Sequence, residues 1–115
     1  MEYLIDKLRT NEKYFSQVVS SQNDVEFSTE SGWDWTFFNR DTILELTAGY
    51  NVSEYKGKNT LLLAQMNDEG LFLDLQNKVL YISSMSSMYD KSQEIIIPNN
   101  LDSILKNPSV LDNYM

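Results

Sequence analysis

The strongest constraint on this chain lies between residues 60 and 82. Three apolar runs, Thr60-Leu61-Leu62-Leu63-Ala64-Gln65-Met66, Leu71-Phe72-Leu73-Asp74-Leu75 and Val79-Leu80-Tyr81-Ile82, are separated only by Asn67-Asp68-Glu69-Gly70 and Gln76-Asn77-Lys78. Each run has the length of a strand and is too short for a buried helix, and Asn, Asp and Gly supply the turn chemistry between them. Connections this short join antiparallel neighbours, because a parallel pair needs a crossover of a dozen residues or more. A three-strand meander is therefore expected, with Leu71, Leu73 and Leu75 on one face. Any fold for this chain has to be built around it.

The flanks extend the same sheet. Val25 and Phe27 alternate with Glu26 and Ser28, and the turn Glu30-Ser31-Gly32 leads into Trp33-Asp34-Trp35-Thr36-Phe37-Phe38, which predicts a hairpin. Glu94-Ile95-Ile96-Ile97 reads as a last strand stopped by Pro98. Residues 3–19 place Leu4, Leu8, Phe15 and Val18–Val19 near helical spacing, which predicts one amphipathic helix. Thr42 with Glu45 fits a capping box for a short helix ending near Gly49, although 42–47 also fits a strand. Asn99 and Asn100 offer N-caps for a helix over 101–106, Pro108 closes it, and 109–115 reads as a tail. The expected fold class is α+β, one domain over 1–115. It has an antiparallel sheet of about five or six strands flanked by an N-terminal helix, a short middle helix and a C-terminal helix.

Composition narrows the function. The 115 residues include no histidine and no cysteine, and the formal net charge is −8. Without those side chains the commonest general base, the strongest nucleophile and the soft metal ligands are missing. Hydrophobic residues make up 42% of the chain, enough for a true core, so the acidity does not signal disorder. The first residues carry acids within an apolar stretch and lack the basic lead of a signal peptide. No apolar run approaches the roughly 20 residues of a membrane helix. The expectation is a cytoplasmic protein that does not contact membrane.

Chemical constellations fare poorly one by one. No Ser-His or Cys-His pair exists, and Gly32, Gly49, Gly57 and Gly70 are too scattered to cradle a phosphate. Glu26, Glu30, Asp34 and Asp41 among aromatic residues allow a small carboxylate-based sugar-binding protein or enzyme, but spacing shows no converging pair. Asn67-Asp68-Glu69-Gly70 with Asp74, or Asp34 with Asp41, offers calcium-type oxygens, yet not in the alternate-position pattern of a calcium loop. Lys and Arg number nine and are dispersed except for Lys56 and Lys58, so direct nucleic-acid binding is disfavoured. No metal, no cofactor and no enzymatic activity are expected. A negative field does suit a nucleic-acid mimic, such as a phage-encoded anti-defence inhibitor of the anti-CRISPR kind.

Aromatic and acidic residues are interleaved between residues 30 and 55. Exposed rings beside carboxylates suit a basic protein partner, with rings supplying binding energy and charge supplying encounter rate. The candidate partner-binding residues are Glu30, Trp33, Asp34, Asp41, Glu45, Tyr50, Glu54 and Tyr55, with Tyr89 and Asp90 in support. The competing expectation is that most of these rings fill the core and the acids keep the surface soluble.

Residues 59–107 resemble the C-terminal half of the SUKH superfamily of bacterial immunity proteins. The resemblance is carried by Leu61-Leu62-Leu63-Ala64, Asn67-Asp68-Glu69-Gly70, Leu73-Asp74-Leu75, Val79-Leu80-Tyr81-Ile82 and Leu101-Asp102-Ser103-Ile104-Leu105. Residues 38–55 are similar to that family's short helix and following loop. The resemblance implies an immunity or antitoxin-type inhibitor that binds a basic toxin domain, often a nuclease, and covers its active site or an adjacent surface. It implies no catalytic residues, and a monomer or weak homodimer is expected.

Overall fold

A computed structural model describes residues 2–49, 60–74, 76, 78–83 and 94–115. Six strands form one antiparallel sheet in sequence order: β1 (Val25–Ser28), β2 (Asp34–Phe37), β3 (Leu61–Met66), β4 (Glu69–Leu73), β5 (Val79–Ile82) and β6 (Glu94–Ile97). The helices are α1 (Glu2–Lys7), α2 (Glu12–Tyr14), α3 (Arg40–Gly49) and α4 (Leu101–Lys106). The architecture is α+β, as the meander and its flanks require.

Side chains alternate along the strands, with one register shift in β3 between Leu62 and Ala64, and the register sorts them by face. Val25 pairs with Phe37, Phe27 with Trp35, Phe37 with Ala64, Ala64 with Leu71, and Leu71 with Tyr81. This row-by-row apolar face carries the helices: the Tyr14 ring meets Phe37 edge-on at 6.2 Å, and Tyr114 lies 6.1 Å from Tyr81. Leu4, Ile5, Leu8, Tyr14, Val18 and Ile104 are fully buried in the same core. On β3, β4 and β5 the intervening residues Leu62, Phe72, Leu80 and Ile82 are buried too. The three central strands thus have both faces covered, which is why their sequences read as continuous apolar runs rather than alternation. The helix α3 packs on β3, burying Ile43 and Thr47, and the Thr47 hydroxyl accepts from the Leu62 N–H at 3.1 Å.

Four local expectations are corrected. The N-terminal segment is not one helix over 3–19. It breaks at Asn11 (φ −102°, ψ 80°), passing from α1 through a 3₁₀ turn (Leu8–Thr10) to α2 and then a π-helical turn (Phe15–Val19). The Thr10 hydroxyl donates back to the Lys7 carbonyl at 3.0 Å, the kind of local bond that competes with helix continuation.

The capping box at Thr42 gives way to a cap one turn earlier. Asn39 Oδ1 accepts from the Thr42 N–H at 3.0 Å, so α3 starts at Arg40 and residues 42–47 are helical. Asn39 is also tied down by its own groups: its N–H donates to Asp24 Oδ1 at 2.8 Å, and Nδ2 donates to the Ser21 and Gln22 carbonyls. The four-residue turn at 67–70 is a two-residue turn. Asn67 takes φ 54°, a conformation Asn tolerates, and Glu69 and Gly70 already belong to β4. Finally, residues 109–115 are no tail, because Pro108–Tyr114 forms a 3₁₀ helix with Leu111 fully buried.

Candidate docking site at the acidic end of the sheet

In a six-strand meander, alternate connections fall at the same end. The β1–β2 turn (29–33) and the β3–β4 turn (67–68) therefore lie side by side, at the end where β5 finishes with Ile82 opposite Glu94 of β6. A shallow hollow of about 250 Å³ between them is lined by Asp34, Thr36, Phe38, Gln65, Met66 and Asn67. No Lys or Arg occurs in 24–39, 60–74 or 107–115. The described turns and strand ends here, with the C-terminal 3₁₀ helix, carry Glu30, Asp34, Asp68, Glu69 and Asp112.

The β1–β2 turn is built to hold its shape. The Thr29 N–H donates to the Trp33 carbonyl at 2.8 Å, the Trp33 N–H donates to Thr29 Oγ1 at 3.2 Å, and Gly32 sits at φ 87°, where a side chain would be strained. The C-terminal 3₁₀ helix satisfies two further donors. The Glu30 N–H reaches Ser109 Oγ at 2.9 Å, and the Ser31 N–H reaches Asp112 Oδ2 at 3.1 Å. Across the hairpin, the Ser28 hydroxyl donates to Asp34 Oδ1 at 2.5 Å. The backbone that carries Trp33 is thus fixed on both sides.

Exposure separates the rings. Trp35 and Phe37 are fully buried and Phe38 nearly so, whereas Trp33 is 43% exposed. Trp33 stands out at the turn with Glu30 and Asp34, which are also exposed.

Burial and hydrogen bonding set the local electrostatics. Partial burial raises the Glu69 carboxyl above its usual range, with the Tyr81 hydroxyl pulling it down and the Asp68 charge pushing it further up. Tyr81 is pushed up to about 12 by burial and by the Glu69 charge. Asp112 goes the other way: partial desolvation opposes ionisation, but hydrogen bonds from Thr29 and Ser31 outweigh it and hold the carboxyl below the usual range.

The sequence-predicted set is therefore divided. Glu30, Trp33 and Asp34 come together at the acidic end. Asp41 and Glu45 are exposed one turn apart on α3, which follows the opposite end of β2. The four-residue β2 alone spans roughly 13 Å, so these two acids are not part of the same cluster. Tyr50, Glu54, Tyr55, Tyr89 and Asp90 lie outside the described residues.

Three contributors escaped the sequence reading. Asp68 and Glu69 read as turn chemistry, and Asp112 sat in an assumed tail; the order of the meander was the signal that places the first two beside Glu30. Among the described residues no three acids gather closely enough to hold a metal ion, and no helix is long and apolar enough to cross a membrane. Comparison with protein families, with curated proteins and with solved structures finds no match to this chain.

What this arrangement offers chemically is recognition. Carboxylates on rigid turns set up a negative field that steers a cationic surface, and an exposed indole beside them gives that surface an anchor.

Proposed function

We propose that this protein acts by binding rather than catalysis, as an immunity or antitoxin-type inhibitor of a basic toxin domain. A nuclease is the favoured target, because such a domain carries the positive surface that phosphate binding demands. The acidic sheet end docks on that surface and covers the active site or a neighbouring patch. The observation that carries this reading is the convergence of exposed Trp33 with Glu30, Asp34, Asp68 and Glu69 at one end of the sheet. Charge sets the encounter rate in such a complex and the aromatic anchor sets its lifetime.

The test is capture from the native host on the immobilised protein, run beside a variant carrying Glu30→Gln, Trp33→Ala, Asp34→Asn and Asp68→Asn. The expected result is a basic protein retained by the wild type, lost by the variant, and toxic when expressed without the wild-type chain. Retention of that protein by the variant, or absence of any basic or toxic partner, overturns the reading.

A further inference from the structure

The hollow beside the two acidic-end turns is walled from both strands by side chains that accept hydrogen bonds. Thr36 of β2 pairs with Gln65 of β3, and opposed side chains of a strand pair share a face. Asp34 and Asn67 follow toward the turns and line the same hollow. Phe38 stands beyond Thr36 on that face, is only 5% exposed, and gives the hollow an apolar wall. Glu26, paired with Thr36, continues the same face onto β1 and is exposed.

The amide groups in this row are oriented by what holds them. Gln65 Nε2 donates to the Asn67 carbonyl at 3.0 Å, and Asn67 Nδ2 donates to Met66 Sδ at 3.3 Å. A carbonyl oxygen and a thioether sulfur can only accept, so both contacts use the amide nitrogen and leave Gln65 Oε1 and Asn67 Oδ1 as acceptors. Asp34 Oδ1 takes the Ser28 hydroxyl, which leaves Oδ2. None of these remaining oxygens receives a hydrogen bond in the folded chain. The hollow therefore presents oxygen acceptors on two strands, one of them charged, and calls for a cation with several donors held apart.

We propose that this hollow receives an arginine side chain of the basic partner, with Asp34, Gln65 and Asn67 accepting from its guanidinium. The inference rests on the docking reading above and names the side chain that the acidic sheet end selects. A guanidinium spreads its N–H donors over a rigid plane and has no acceptor to clash with the surrounding oxygens, whereas an ammonium gathers its donors at one point. The apolar stem of arginine, or the face of its guanidinium, lies against Phe38. The charge of Asp34 strengthens the bonds it accepts.

Heteronuclear NMR of the full chain, titrated with Nα-acetyl-arginine amide and in parallel with Nα-acetyl-lysine amide, tests this. The two probes carry the same charge and differ in the shape of the donor. The arginine probe is expected to shift the amide signals of Asp34, Thr36, Gln65 and Asn67 saturably and to bind more tightly than the lysine probe. Asp34→Asn and Gln65→Met, whose spectra report their own folding, should each raise the half-saturating concentration about fivefold, as expected for one net hydrogen bond lost. Glu12→Gln on α2 should leave it unchanged. Equal binding of the lysine probe, an arginine probe that leaves these amides unmoved, or unchanged affinity in Gln65→Met overturns the proposal. No toxin enters this titration, so the two readings fail separately. A captured basic partner with no arginine binding here sinks the arginine site alone, and arginine binding here with no basic partner captured upholds the site and sinks the immunity reading.

Discussion

The backbone N–H of Ser31 donates to Asp112 Oδ2 at 3.1 Å, joining the β1–β2 turn to the last helix of the chain across 81 positions of sequence. With Ser109 holding the Glu30 N–H, the C-terminal helix fixes the turn that displays Trp33. Replacing Asp112 with Ala leaves the Ser31 donor without its acceptor. The expected result is faster amide hydrogen exchange at Glu30 and Ser31, a lower urea midpoint, and weaker partner binding, from the loosened turn together with the lost carboxylate.

The same carboxylate gives an acid dependence of definite sign. The Asp112 carboxyl is held below its usual range in the folded protein. Its contribution is thus fully present above the ordinary aspartate value of about 4 and lost as pH falls through the folded-state value. Urea midpoints measured from pH 6 downward should fall less steeply for Asp112→Asn than for the wild type.

At the alkaline end the sign reverses. Tyr81 is raised to about 12 by burial and the Glu69 charge, and Tyr14 is raised by complete burial. Both favour the neutral phenol when folded, so stability is retained below the ordinary tyrosine value of about 10 and is lost as pH rises through the folded-state values. The phenolate signals of Tyr14 and Tyr81 should appear together with unfolding rather than before it. Tyr81→Phe should move the alkaline midpoint upward.

Two hydrogen-bonded side chains, Asp102 and Asn39, tie the helices to one another and to a connecting loop. The Tyr14 N–H donates to Asp102 Oδ1 at 2.8 Å, linking α2 to α4. Asn39 caps α3 and donates to two loop carbonyls. Loss of a hydrogen bond to a charged acceptor costs about 1.5–3 kcal/mol, so Asp102→Ala is expected in that range by denaturant unfolding. Asn39→Ala removes a cap, about 1–2 kcal/mol, and leaves two carbonyls to find new donors, so its loss should be the larger.

Much of the sheet was legible because strand signals are local. The runs 61–66, 79–82 and 94–97 are apolar and β-branched or leucine-rich between turn residues, and each forms the strand it predicts. What sequence missed depends on contacts between distant residues. Asn39 outcompetes Thr42 as a cap because Asp24 and the Ser21 and Gln22 carbonyls hold it in place, and nothing near residue 39 in sequence announces them. The helix over Pro108–Tyr114 forms because Leu111 finds the core and Asp112 finds the β1–β2 turn. The candidate site shows the same division. The chemistry of Glu30, Trp33 and Asp34 was readable in one stretch, but the adjacency of Asp68 and Glu69 follows from the stacking of two hairpins. Asp41 and Glu45 were grouped with them by sequence distance alone, and α3 carries them elsewhere.

The central claim is that the acidic sheet end is the binding surface, and association kinetics of the captured basic partner test it most directly. Three chains are compared by surface plasmon resonance at two ionic strengths: the wild type, the Glu30→Gln/Asp34→Asn/Asp68→Asn variant, and a control with Glu12→Gln and Asp6→Asn on the N-terminal helices. The acidic-end variant is expected to associate about tenfold or more slowly, with a flatter salt dependence, and the control at an unchanged rate. Trp33→Ala should instead speed dissociation, at a cost of about 2 kcal/mol in affinity. Equal slowing in the control, or an acidic-end variant that associates like the wild type, contradicts the claim.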